Sequence, residues 1–323
     1  MLLGNKVSVF GGTGFVGRAV VNELSKAGYE IKVVVRRPER FREFLLYPNT
    51  TLHTLESFDN AAQLTAAVKG ADIVINLITD RSTGTEMIEQ ADLTAVTQKI
   101  KSATESAGVK RVLSLSQIGA STDAPNSDWF GILGEVGNLM HNVASAKVTI
   151  LKPSLLIGAG DDTTARFVTQ LNRMDLLMVA QSNTVVQPLW IKDFAQAAVA
   201  IIKDESTFDK KLEMVGEERL TMKQLGELVA ELMQKDAIVF PMCKLNAKLM
   251  AAFGAFAPIA SVSKSQLLML SKDMVSDADF ETQFGFAPSS LEWAISTYAS
   301  PHDIRERYNF YRKEAGRDVK ELV

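Results

Sequence analysis

The chain has 323 residues, 46% hydrophobic and 23% charged, the balance of a folded globular protein with one large domain or two modest ones. A net charge of -3 gives no sign of nucleic-acid binding. The single Cys243 rules out a disulfide framework or a cysteine-based zinc cluster, and His53, His141 and His302 are too scattered to suggest a metal site.

No apolar run approaches the roughly 20 residues that span a bilayer. The opening MLLGNKVSVFGG enters a strand pattern directly, without the layout of a signal peptide. The expectation is an intracellular, cytoplasmic protein, at most peripheral at the inner face of a membrane.

In chain order, KVSVF (6–10) reads as a strand, GGTGFVG as a turn and RAVVNELSKAG as a helix, with Val16, Val20 and Leu24 on one face and Gly28 as its stop. Gly11, Gly14 and Gly17 therefore fall in a strand-to-helix turn with G-x-x-G-x-x-G spacing. Without Cβ atoms such a turn tightens, its N–H groups approach a pyrophosphate, and the helix N-terminus faces the negative charge. Glycines in this context predict dinucleotide binding. Gly11, Thr13, Gly14, Phe15, Val16 and Gly17 are the candidate contacts.

The second strand lies in EIKVVVRRPERF (30–41). An acidic residue near its end would hold a ribose 2′-hydroxyl, and an arginine would suit a 2′-phosphate. Here stand Arg36 and Arg37, with no carboxylate between Glu30, at the start of the strand, and Glu39, which favours NADP(H) over NAD(H). A helix over about 60–69 precedes the buried strand GADIVINLI (70–78), whose end carries Asn76 and Leu77. A helix over 91–108 leads to the strand VKRVLSLSQIGA (109–120), with Ser114 and Ser116 near its end, and KVTILKPSLLIGAGDD (147–162) supplies another strand with Pro153. This alternation predicts an α/β fold with a doubly wound parallel sheet and a ligand at the carboxyl ends of the strands.

The blocks GGTGFVG, GADIVINL, LSLSQIGA, LKPSLLIGAGDD and QPLWIKDFAQAAVAII, in this order, resemble the extended and atypical short-chain dehydrogenases/reductases, which include epimerase/dehydratase-like members. The resemblance covers nearly the whole chain. It is greatest to the branch that contains the Rossmann-fold accessory subunit of respiratory complex I and its bacterial relatives. Departures include Lys152 for the usual arginine before Pro153 and Trp190 where histidine is common. The resemblance implies a Rossmann sheet over 1–160, with 184–216 returning to it. It implies a smaller, mostly helical substrate, lid or docking region over 161–183 and 217–323. It adds Asn76, Leu77, Ser116 and Pro153 to the cofactor contacts and places Gln187 and Pro188 beside the nicotinamide.

Active members resemble one another in using a serine to polarise the substrate oxygen and a Tyr-x-x-x-Lys pair to deliver a proton. The serine maps onto Ser116. The pair maps onto WFGILGE, which puts Trp129 and Leu133 in place of tyrosine and lysine. No tyrosine lies between the fourth strand and Pro153 in any register, and neither replacement is a general acid near neutral pH. Asp128 and His141 are the conceivable substitutes, and Ser116 is then vestigial.

Farther on, 163–180 reads as a helix and loop, Asp193 as a helix cap, 212–216 as a strand and 221–235 as a helix capped by Thr221. The stretch 237–272 contains no Asp or Glu, carries Lys244, Lys248, Lys264 and Lys272, and repeats Met242, Leu245, Leu249, Phe253 and Phe256 at helical spacing. Core or lid, partner docking and a membrane surface all suit it. A closing helix follows Gly285 and Pro288, and the charged tail after 299 reads as exposed. Three functions stand open. The chain is an NADP(H) binder without ordinary turnover, linked to a membrane or respiratory complex. Or it is an oxidoreductase or isomerase acting on a hydrophobic, quinone- or isoprenoid-like substrate with an atypical proton donor. Or the cofactor only stabilises a docking module.

Overall fold

A computed structural model describes residues 3–79, 93–124, 129–242 and 264–299. Asp128, residues 243–263 and the tail from 300 lie outside the described residues.

The first six strands are β1 (Lys6–Phe10), β2 (Glu30–Val35), β3 (Thr50–Thr54), β4 (Ile73–Asn76), β5 (Arg111–Leu115) and β6 (Lys147–Pro153). After them come β7 (Leu156–Ile157), β8 (Leu176–Ala180), β9 (Val185–Val186), β10 (Leu189–Trp190), β11 (Lys210–Met214), β12 (Leu220–Thr221) and β13 (Ile238–Met242). Seven of them form one sheet in the order β11-β6-β5-β4-β1-β2-β3, and every neighbouring pair is parallel. The chain reverses its direction of travel across the sheet between β1 and β4, which is where such sheets leave a crevice for ligands.

Helices cover both faces. These are α1 (Phe15–Lys26), α2 (Ala61–Val68), α3 (Leu93–Ser106), α4 (Trp129–His141), α5 (Thr164–Leu171), α6 (Ile191–Ala200) and α7 (Met222–Leu232). The last described helices are α8 (Lys264–Met269), α9 (Phe280–Phe284) and α10 (Leu291–Ala299). α1 packs on α6 on one face, and α3 packs on α2 and α4 on the other. Every residue of β4 and β5 is buried, the polar Asn76, Arg111 and Ser114 included, so these strands do not alternate between a buried and an exposed face. Local chemistry agrees with the boundaries: Asn60 caps α2, and Thr221 and Gln224 form a reciprocal capping box on α7.

The second half differs from its sequence-based expectation in three places. Residues 176–180, expected as loop, form β8, which pairs in parallel with β13. LLMVA is a short apolar run whose periodicity cannot separate strand from helix, and pairing decides it. Met242, expected to begin a helical stripe, instead ends β13 and packs with Ala180. Its companions Leu245, Leu249, Phe253 and Phe256 lie outside the described residues. Finally, Asp193 sits in the first turn of α6, whose N-cap is Trp190. Its carboxylate accepts from Ser289 N at 2.7 Å and from Ser289 Oγ at 3.1 Å, so it holds the turn before α10 rather than capping its own helix.

No helix among the described residues is long and apolar enough to cross a membrane.

Candidate functional site

One cavity runs along the carboxyl ends of β2, β1, β4, β5 and β6. Its outer part is the turn between β1 and α1. Gly11 adopts a φ of 75° with the Leu77 backbone 3.0 Å from where a Cβ would stand. A Cβ on Gly17 would lie 2.2 Å from Gly11 O, so the turn closes only because both are glycine. Gly14 is the N-cap of α1 and makes no side-chain cap, which leaves the N–H groups of the first helical turn directed at the cavity. Arg18 holds the loop from behind, donating from Nε to Thr13 O at 3.1 Å and pairing with Glu43 at 2.9 Å.

The inner part is built from the ends of β5 and β6, the start of α4, and α8. Ser116, Trp129 and Leu133 are 5%, 5% and 1% exposed, and all three line the cavity. Gly134 lets α4 approach this closely, since a Cβ there would meet the Ser121 backbone at 2.3 Å. Gln117 organises the wall. Its Oε1 accepts from Trp129 Nε1 at 3.0 Å, and its Nε2 donates to Met269 O at 3.1 Å and Met274 Sδ at 2.7 Å. Because indole N–H is only a donor, this contact fixes which end of the Gln117 amide is oxygen. Ser154 adds to the clamp, donating to Met274 O at 2.6 Å while accepting from Gln187 N at 3.2 Å.

At the edge of the cavity the segment 158–165, which leads into α5, wraps the buried Asp161. Its carboxylate accepts from Gly158 N, Thr163 N, Ala165 N and Thr164 Oγ1. Thr164 Oγ1 has spent its proton there, so it accepts from the Tyr298 hydroxyl of α10. Burial raises the Asp161 pKa against the pull of these donors, and burial together with the Asp161 charge raises that of Tyr298.

Of the residues singled out from sequence, Gly11, Thr13, Gly14, Phe15, Val16, Gly17, Arg36, Leu77, Ser116, Trp129, Leu133 and Pro153 all line this cavity. Arg37 and Asn76 do not. Arg37 is exposed and opens the helical turn at Pro38–Arg40. Asn76 is fully buried beneath the floor, where its Oδ1 accepts from Ile78 N at 3.2 Å. Gln187 and Pro188 also stay out of the lining: Gln187 stands behind Ser154 and ties Gly216 O to Ser276 N. Lys152 pairs with Glu213 at 3.3 Å, and Trp190 packs edge-on against Trp293 at 4.7 Å.

His141 is excluded as a substitute acid for the inner cavity. It ends the 13-residue α4 that Trp129 begins, about 18 Å along the helix. That end of α4 lies near Asp209, which binds Lys147 and Val148 N at the start of β6. Sequence reasoning missed Glu56, Phe58, Thr79, Gln117, Ser154, Asp161, Asp162, Thr163 and Met269 in the lining. For Gln117 the signal was adjacency to Ser116; Met269 lay within the stretch 237–272, for which core or lid was one of three readings, but was not itself singled out.

Comparison with known proteins agrees with this arrangement. Residues 11–173 match the NAD(P)H-binding family, half of the chain. Mitochondrial NADH dehydrogenase (ubiquinone) 1 alpha subcomplex subunit 9 of Arabidopsis thaliana is 28% identical over 236 residues, 71% of this chain and 58% of the plant protein. The Dictyostelium discoideum protein of the same name is 23% identical over 69% of this chain and 63% of its own length. The chain thus spans about three fifths of these relatives. The mouse counterpart is 24% identical over 88% of this chain and 77% of its own. Among solved structures, an NADPH-dependent quinone oxidoreductase of Escherichia coli complexed with NADPH superposes with a TM-score of 0.72 at 17% identity, over 90% of this chain and 99% of that one. Triphenylmethane reductase of Citrobacter sp. gives 0.74 at 14% identity, over 92% and 100%. These structures share the fold. The chain belongs to the NAD(P)H-binding family, with a nicotinamide dinucleotide as its cofactor.

Proposed function

We propose that this chain holds NADP(H) in the cavity and does not perform the tyrosine-assisted carbonyl chemistry of the active short-chain dehydrogenases/reductases that its sequence resembles, serving as a cofactor-bearing partner of a membrane electron-transfer assembly. One observation carries the reading. The positions that match tyrosine and lysine are Trp129 and Leu133, both face the cavity, and the single N–H of Trp129 is committed to Gln117. Neither side chain supplies a proton to a developing alkoxide.

The dinucleotide would lie with its pyrophosphate on the N-terminus of α1 and its nicotinamide toward Ser116. Arg36, at the end of β2 in the lining, suits a 2′-phosphate, and this supports NADP(H) over NAD(H). NADPH in the E. coli quinone oxidoreductase and NADP(H) in the Citrobacter reductase give the same support. The membrane assembly is suggested by the relatives, which carry the name of mitochondrial NADH dehydrogenase subunits.

A second reading is hydride transfer to a hydrophobic acceptor such as a quinone. The apolar side chains of Trp129, Leu133 and Met269 favour it, and so does the E. coli neighbour. Hydride leaves the dihydronicotinamide for the acceptor and gives a phenolate-type anion. Its conjugate acid has a pKa near that of tyrosine, about 10, so water completes the protonation without an enzyme acid. The test is the absorbance of protein-bound reduced nicotinamide after ketones, aldehydes or quinones are added. Stability toward all three supports the first reading. Oxidation by quinones alone supports the second, and oxidation by simple carbonyls contradicts both.

A further inference from the structure

We propose that Gln117 sets the ligand class of the inner cavity, by using up the hydrogen-bond donors around it and leaving a wall that accepts a flat, apolar ring with a carbonyl oxygen. The inference rests on the reading that the dinucleotide occupies the glycine-loop side of the same cavity.

The donors can be accounted for one by one. Trp129 has one N–H, and it goes to Gln117 Oε1. Gln117 has two amide protons, which go to Met269 O and Met274 Sδ. Ser154 spends its hydroxyl proton on Met274 O. Leu133 and Met269 have none to give. Ser116 remains: its backbone N–H donates to Leu151 O at 2.7 Å, and its hydroxyl is the one side-chain donor of this wall with no partner among the described residues.

A ligand fitted to such a wall offers an acceptor oxygen to Ser116 and apolar faces to Trp129, Leu133 and Met269. A polyhydroxylated ligand is disfavoured, because most of its buried hydroxyl oxygens would find no donor on this wall. Gln117 is therefore a positioning residue. It turns the indole so that carbon rather than N–H faces the cavity, and it pins the 269–274 segment against that indole. Two further contacts hold the segment in place, Thr184 Oγ1 to Leu270 O at 2.9 Å and Met274 N to Val185 O at 2.8 Å. Loss of Gln117 would therefore loosen the wall without releasing the chain.

The experiment is calorimetric titration of the protein saturated with NADP+, so that no hydride is available, using duroquinone as the flat ring and UDP-glucose as the polyhydroxyl ligand. The methyl groups of duroquinone occupy its ring carbons, so Cys243 is not alkylated. Duroquinone is expected to bind and UDP-glucose not to. Gln117→Leu is expected to weaken duroquinone by about tenfold while NADP+ affinity stays the same, a split that general destabilisation would not produce. The proposal is overturned if UDP-glucose binds as well as duroquinone, if duroquinone does not bind, or if Gln117→Leu binds it like the parent. Should NADP+ fail to load, the cofactor reading falls separately. Duroquinone titrated into the free chain then tests the wall by the same criteria.

Discussion

At the glycine-loop end the cavity wall is backbone, whereas at the inner end it is side chain. The loop depends on what is missing: no Cβ at Gly17, where 2.2 Å separates its place from Gly11 O, and no cap on α1. The inner wall depends on hydrogen bonds that reach far along the chain, from Gln117 to Met269 and Met274 and from Ser154 to Met274. Backbone geometry of the first kind serves any dinucleotide. A wall of the second kind depends on the identity of a few side chains, so its chemistry can change while the cofactor end stays as it is. Trp129 and Leu133 fit that division.

The sharpest way to break the comparison is Gly17→Ala. Its methyl group collides with backbone that cannot yield, so dinucleotide binding should disappear and stability should fall by about 1–3 kcal/mol, as overpacking does. Fluorescence titration and thermal melting would record both, and retained binding would show that the loop is not the cofactor seat. Gly14→Asp separates folding from charge. The nearest atom to a Cβ there is Gly11 O at 3.6 Å, so the variant should melt like the parent yet fail to bind, because a carboxylate faces the pyrophosphate.

Side-chain ties also hold the C-terminal elements, and Asp193 tests them. Asp193→Ala removes both bonds to Ser289 and should cost about 1–3 kcal/mol in denaturant unfolding. Asp193→Asn retains an acceptor for the Ser289 N–H and can donate to its hydroxyl, so it isolates the charge. Burial raises the pKa of Asp193 in the folded state. A raised folded pKa contributes stability that is complete below the unfolded pKa, about 3.9, and is lost as pH rises through the folded value. The parent should therefore gain stability relative to Asp193→Asn as pH falls toward 4, approximately. A difference that shrinks in acid would reverse the assignment.

The smallest expected effect is that of Arg36→Ala, a loss of about tenfold for NADPH with NADH nearly unchanged. Equal losses would remove the basis for NADP(H) selectivity.

Much of this was legible in the sequence because it is local. Glycine spacing, the run of buried residues in β4 and the position of Ser116 after β5 each depend on neighbours within a few residues, and the doubly wound parallel sheet follows from their order. What escaped is nonlocal. β8 is a strand because β13 pairs with it from about sixty residues away. Met269 reaches the cavity because Gln117, 152 residues earlier, holds its carbonyl. Arg37 and Asn76 show the limit of reasoning by adjacency. Each neighbours a lining residue, yet one is exposed beside the cavity and the other buried under it.

The most direct measurement is a fluorescence titration of the protein with NADPH and with NADH, followed by the absorbance of the bound reduced nicotinamide when simple ketones and aldehydes are added. NADPH should bind, more tightly than NADH, and remain reduced. Binding of neither nucleotide, or prompt oxidation by a simple carbonyl compound, would contradict a cofactor cavity that has kept its seat and lost its proton donor.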